Sequence, residues 1–245
     1  MKSRVLILVY GIFSYLVFFG TILYLIGFVG GFIVPKNIDT GCLESPIHAI
    51  MVDLGLILLF AVQHTIMARP LFKEFISGII PRAAERSTFV LATSSILILL
   101  FWQWRPLPFE LWHLQAPISL VPFGISMLGW VIVFWSTFLI DHFDLFGLRQ
   151  VWLYFSGIAY FSSPFVLRGL YMFVRHPLML GFLIAFWFTP VMTVGHLLFA
   201  LAMTGYIFMG IKHEERDLVT ILGDAYERYR ERTPMIFPGI FFPKP

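Results

Sequence analysis

Six nearly uncharged runs, several of them 20 residues or longer, divide this chain. About 20 apolar residues cross the hydrocarbon core of a bilayer as a helix. The runs are Val5 to Val34, Ile47 to Met67, Thr88 to Trp104, Leu120 to Ile140, Pro177 to Met192 and Val194 to Ile211. In lipid, every backbone polar group must be satisfied internally, so runs of this kind fold as helices. The expected fold class is therefore all-α: an integral membrane helical bundle with five to six transmembrane helices. The last two runs are short and nearly continuous, with Pro190 and Gly195 bracketing their junction. They predict a tight helical hairpin. The alternative is five full spans and one irregular segment.

Composition supports the membrane assignment. Of 245 residues, 59% are hydrophobic and 13% are charged, against about 25% charged in soluble domains. A soluble fold of this size has no place for so much apolar surface. Length predicts one membrane domain over residues 1–245. Residues 1–140 would supply four spans, and residues 141–245 an interfacial segment, the hairpin and a tail. Cys42 is the one cysteine, which excludes an internal disulfide and a cysteine-rich metal site. The net charge of +3 resides in short loops, which suits lipid headgroups rather than nucleic acid. Lys2 and Arg4 ahead of an apolar run resemble a signal peptide, but the run is too long for a signal core and reads as an uncleaved first span.

Loop cations set an expected orientation. Arg69, Lys73, Arg82 and Arg86 follow the second span, Arg149, Arg168 and Arg175 follow the fourth, and Lys212, Arg216, Arg228, Arg230 and Arg232 follow the last. The alternate loops carry Lys36 and Arg105 alone. Six spans would then place both termini in the cytoplasm. Between the fourth and fifth runs, residues 141–174 hold Trp152, Tyr154, Phe155, Tyr160, Phe161, Phe165, Tyr171 and Phe173 among glycines and serines. This is the composition of a segment lying at the interface. From His213 to Arg232, Leu218, Leu222, Ala225, Tyr226 and Tyr229 recur at helical spacing. They predict an amphipathic C-terminal helix on the cytoplasmic face, ended by Pro234.

The polar residues next to these runs are the candidates for chemistry. Pro177 suits the first position of a helix, with His176 at its cap. The free N–H groups of Leu178 and Met179 would then favour an anion, and Gly181 would permit a close approach one turn in. Glu214-Glu215 follow the last run, so an antiparallel pair of final spans brings them beside Arg175-His176. A plain interfacial charge cluster fits the same spacing. Asp141, His142 and Asp144 end the fourth run, with Phe143 and Phe146 beside His142. Gln63 and His64 lie within the second run, where polar side chains face the bundle interior. Asp53, His113 and His196 fit structural roles. Several histidines in an apolar bundle also permit haem, for which His64 and His176 are at similar depth.

These residues resemble a known family. Gly169-Leu170-Tyr171-Met172-Phe173-Val174-Arg175-His176-Pro177 is similar to the segment ending in Val-Arg-His-Pro of the isoprenylcysteine carboxyl methyltransferases. Glu214-Glu215, Gly223-Asp224-Ala225-Tyr226-Glu227-Arg228-Tyr229, Pro234 and Pro238 are similar to that family's tail. Together they cover about the last 80 residues. In the N-terminal half, Gln63 to Pro70, Glu85 to Thr88 and Phe101 to Pro106 resemble the bacterial methanethiol S-methyltransferases and the related NnrU-type membrane proteins. Met179 stands where the prenylcysteine enzymes usually carry tyrosine, and Leu170 where they carry proline, which points away from a prenylated acceptor.

The resemblance implies a multi-pass enzyme of the bacterial inner membrane that uses S-adenosyl-L-methionine. Its acceptor would be a small thiol, with methanethiol giving dimethyl sulfide. A related protein of haem or nitric oxide metabolism without methyl transfer is the alternative, as is another lipid-soluble acceptor. The implied cofactor set is Tyr171, Arg175, His176, Leu178, Gly181, Glu214, Glu215, Tyr226 and Tyr229. His142, His176 and Glu214 are candidate bases, and His64, His142 and Phe143 would meet the thiol. No metal is required. The implied partners are the thiol and the bilayer, and nothing points to an oligomeric state.

Overall fold

A computed structural model describes residues 2–161 and 167–239. Helices α1 (Lys2–Gly30), α2 (Pro46–Ala68), α3 (Pro70–Ser77) and α4 (Arg82–Gln103) lead into strand β1 (Glu110–His113). Helices α5 (Leu120–Ile140), α6 (His142–Leu145) and α7 (Leu148–Ser156) follow. A 3-10 turn (Gly169–Met172), α8 (Pro177–Trp187), β2 (Val191–Thr193), α9 (Val194–Leu222) and α10 (Asp224–Arg232) complete the order. Among the described residues, five helices are long and apolar enough to cross a membrane: α1, α2, α4, α5 and α9. Their outward residues are strongly apolar, as Leu6, Leu16, Leu58, Val131 and Trp135 show at more than half exposed. Soluble monomers rarely expose such contiguous surface. The fold is an all-α multi-pass membrane bundle.

Prolines place several boundaries. Ser45 caps α2 by accepting from the His48 N–H, and Pro46 opens the helix. Arg69 is extended ahead of Pro70, which ends α2 and starts α3, because a residue preceding proline is pushed out of the helical region. The expected helical hairpin is corrected here. Helix α8 spans 11 residues, about 16 Å at a rise of 1.5 Å per residue, and so falls well short of a hydrocarbon core of about 30 Å. Phe188 turns extended ahead of Thr189-Pro190, and β2 pairs with β1 in a two-stranded sheet. This is the five-span alternative, with α8 as the short apolar segment. The tail is corrected too. Helix α9 runs without interruption past Ile211 to Leu222, and the break comes at Gly223, whose φ of 57° and ψ of −136° favour glycine.

The chain forms two compact units. The first comprises Met1–Phe109, Asp141–Pro164 and Thr193–His196, and the second comprises Glu110–Ile140, Phe165–Met192 and Leu197–Pro245. In the first, α1 packs along α4, with the Tyr24 and Phe28 rings each 5.0 Å from Phe101. The fully buried Trp104 donates its indole N–H to the Ile38 carbonyl. Helix α7 seats Val151 against Gly11 of α1, where a Cβ would lie 2.5 Å from a valine methyl. It exposes Trp152 and Phe155. Of the aromatic residues expected in this interfacial segment, Phe165 lies outside the described residues.

In the second unit, α5 and α8 are antiparallel and in backbone contact. A Cβ on Gly129 would lie 2.7 Å from the Gly181 carbonyl oxygen, and one on Gly181 would lie 2.7 Å from the Gly129 carbonyl oxygen. Ser126 donates across the pair to the Ala185 carbonyl. Trp130 meets Phe182 and Phe186 edge to face, and Phe186 meets Phe199 of α9. Small residues bring membrane helices together in this way.

Candidate functional site

The second unit brings Arg175-His176 and Glu214-Glu215 together, starting from the chain's approach to α8. Arg168 donates to the Leu139 carbonyl at 2.7 Å. Gly169, at φ 57°, rests against the Leu139 side chain, where a Cβ would come within 2.9 Å. The 3-10 turn then delivers Tyr171, and the chain extends through Arg175 to His176 at the cap of α8. The N–H groups of Arg175 and His176 donate to the carbonyls of Pro234 and Met235. The chain beyond α10 therefore runs beside the start of α8 and is fastened to it through the backbone.

The two glutamates divide their work. One Glu215 carboxylate oxygen, Oε1, accepts from Arg175 Nε at 2.6 Å and lies 3.0 Å from His176 Nε2. All three side chains are largely buried. Glu214 is 51% exposed, with Oε2 at 3.6 Å from His176 Nδ1, beyond direct hydrogen-bond reach. A neutral His176 that donates from Nε2 to Glu215 keeps the lone pair of Nδ1 on the side of Glu214. A carboxylate that fixes an imidazole tautomer in this way is a common device at proton-transfer sites.

Arg175 is also tied down at its far end, where Nη1 donates to the carbonyls of Arg230 at 2.8 Å and Thr233 at 2.6 Å. Tyr229 donates its hydroxyl to the Tyr171 carbonyl at 2.6 Å, and its ring meets Tyr226 edge to face at 5.8 Å. Burial pushes the Tyr229 phenol up to about 12. It also raises those of Tyr171 and Tyr226, helped by Glu214 and Glu215 respectively. All three phenols are thus neutral near pH 7. Tyr226 and Tyr229 are buried while Tyr171 and Leu178 are half-buried, so Tyr171 is the tyrosine with accessible surface. The room that Gly181 provides is taken by α5.

His64, His142 and Phe143 belong to the first unit. His142 is buried, its Nε2 lies 2.8 Å from the Tyr15 hydroxyl, and its ring meets Phe146 at 4.9 Å. Burial lowers its pKa against the opposing pull of Asp141. Phe143 is half-exposed, 5.4 Å from the His142 ring. His64 stacks on Phe60, with Nδ1 at 3.4 Å from the Thr93 hydroxyl, which also accepts from Gln63. Sequence reasoning did not find Tyr15, Thr93 or the carbonyls that hold Arg175. Tyr15 lies mid-span in an apolar run, and a backbone carbonyl has no sequence signature. Among the described residues, no group of His, Cys, Asp or Glu is placed to hold a metal ion.

A multi-pass helical protein with a carboxylate, an imidazole and a guanidinium assembled where an apolar helix begins belongs to the class of membrane proteins with a polar site at the end of their spans. Sequence comparison narrows the class. The chain is 51% identical over 241 residues to methanethiol S-methyltransferase 2 of Bradyrhizobium diazoefficiens, covering 98% of this chain and 93% of that protein. It is 52% identical over 230 residues to methanethiol S-methyltransferase 1 of the same organism, covering 94% and 81%. It is 48% identical over 238 residues to the methanethiol S-methyltransferase of Mycobacterium tuberculosis, covering 96% and 97%. No family model matches the chain, and no solved structure matches it. The chain belongs to the methanethiol S-methyltransferase family.

Proposed function

We propose that this protein methylates methanethiol to dimethyl sulfide, with S-adenosyl-L-methionine as donor, at the cytoplasmic face of the bacterial inner membrane. One observation carries the site assignment: the half-exposed Glu214 carboxylate beside a buried His176 that Glu215 holds at the start of α8. The donor set fits the polar end of S-adenosylmethionine. Glu214 matches an ammonium group. The first-turn N–H groups of α8, at Leu178 and Met179, have no partner within the helix and match a carboxylate. The half-buried ring of Tyr171 offers an aromatic face to an adenine. When bound, the donor supplies a methyl group on a positively charged sulfonium.

The protein's own contribution is to position both reactants and to take a proton. A thiol attacks as its thiolate, and a small alkyl thiol has a pKa well above neutrality, as even a cysteine thiol does at about 8.5. His176 Nδ1 accepts the proton while Nε2 remains bonded to Glu215, which stabilises the imidazolium. Positioning and exclusion of water would supply the rest, since moving a methyl group from a sulfonium to a thiolate, with a neutral thioether leaving, cancels charge. Methanethiol partitions into lipid and the charged donor does not, so a site where a span meets the cytosol is reached by both. Arg175, Lys212, Arg216, Arg228, Arg230 and Arg232 at this end favour the cytoplasmic side. Titration calorimetry with S-adenosylhomocysteine tests the assignment. Binding at one site per chain is expected, and a folded sample that binds none would overturn it.

A further inference from the structure

Arg175 lies beside the proposed acid–base pair, and three of its hydrogen bonds go to groups of the protein itself. Nε donates to Glu215 and Nη1 to the carbonyls of Arg230 and Thr233. Those carbonyls end α10, where the last C=O groups have no partner within the helix. The side chain is 10% exposed. The main chain repeats the connection, Arg175 N–H to Pro234 and His176 N–H to Met235. A guanidinium is suited to this role because its planar fork serves a carboxylate and carbonyls at once.

We infer that Arg175 is a positioning residue of the methyl transfer: it fastens the end of α10 to Glu215, and Glu215 in turn holds His176, so Arg175 governs the proton acceptor without binding the donor. The inference rests on the proposed function for its catalytic part and on geometry alone for the fastening. It separates two residues that a shared Arg-His-Pro motif would otherwise place in one role.

The test uses the full-length protein in lipid nanodiscs, with Arg175→Gln and Arg175→Lys compared with wild type in three measurements. The first is trypsin cleavage within α10, at Arg228, Arg230 and Arg232. The second is S-adenosylhomocysteine affinity. The third is the effect on kcat in wild-type and Glu215→Gln backgrounds. The inference expects faster cleavage of α10 in both variants and an S-adenosylhomocysteine Kd within about threefold of wild type. It also expects a kcat loss of about tenfold or more that largely disappears in the Glu215→Gln background, as coupled neighbours require. An affinity loss beyond about tenfold, the scale for a lost charge-assisted bond, with α10 still protected would make Arg175 a donor ligand and overturn the inference. Should Arg175→Gln fail to fold, the same three measurements on Arg175→Lys decide it, since lysine keeps the charge and lacks the fork. Released α10 in the variants together with a wild type that binds no S-adenosylhomocysteine would uphold the fastening and overturn the proposed function instead.

Discussion

Glu214 and Glu215 are consecutive on α9, and successive helical side chains point about 100° apart. That angle sends Glu215 into the bonds of Arg175 and His176 while Glu214 stays half-exposed. The two should therefore fail differently when neutralised. Glu214→Gln should weaken S-adenosylhomocysteine binding about tenfold or more and leave thermal stability nearly unchanged. Glu215→Gln should lower stability by about 3 kcal/mol, because it leaves a buried guanidinium without its counter-ion. Calorimetry and thermal unfolding read the two effects, and a pair of variants with the same profile would contradict this division. The convergence of these four residues was an expectation from sequence, since both charged pairs adjoin apolar runs. Which glutamate turns inward was not legible, because the answer depends on how α9 is rotated against the start of α8. Tyr15 beside His142 was hidden for a related reason: a tyrosine in a span looks like any other aromatic until the packing is known.

The start of α8 at Pro177 was legible, and ends for which hydropathy alone was the guide were obscured. Pro46, Pro70 and Pro177 mark the starts of α2, α3 and α8. The end of α9 was misplaced because hydropathy falls at Lys212, whereas backbone hydrogen bonding continues to Leu222 and yields at Gly223. The end of α8 was misplaced because pairing of β2 with β1 joins segments about 80 residues apart, which no local pattern reports. The α5–α8 pair rests on Gly129 and Gly181. Gly181→Leu would bring a Cβ to 2.7 Å from the Gly129 carbonyl oxygen and 2.8 Å from the Val133 nitrogen, so the helices must separate. A loss of stability above the 1–3 kcal/mol typical of overpacking is expected. Retention of the wild-type melting temperature in Gly181→Leu would contradict the observed contact.

Across the molecule, the half-buried and buried titratable groups give stability a dependence on pH. For His142, burial lowers the pKa in the folded state, so on acidification the unfolded chain takes up this proton first. Its contribution is complete above the unfolded value of about 6.5 and is lost as pH falls from there toward the lower folded value. Melting temperature should thus fall as pH drops below about 6.5, and His142→Asn should flatten the fall. An unchanged slope in the variant would remove His142 from this role.

Transfer of a methyl group from S-adenosylmethionine to methanethiol, as proposed above, can be followed directly. The direct measurement supplies purified protein in lipid with S-adenosylmethionine carrying an isotopically labelled methyl group, adds methanethiol, and analyses the headspace. Singly labelled dimethyl sulfide is expected from the wild type, with a strongly reduced yield from Glu214→Ala. A folded wild-type sample that yields no labelled dimethyl sulfide would contradict the proposal.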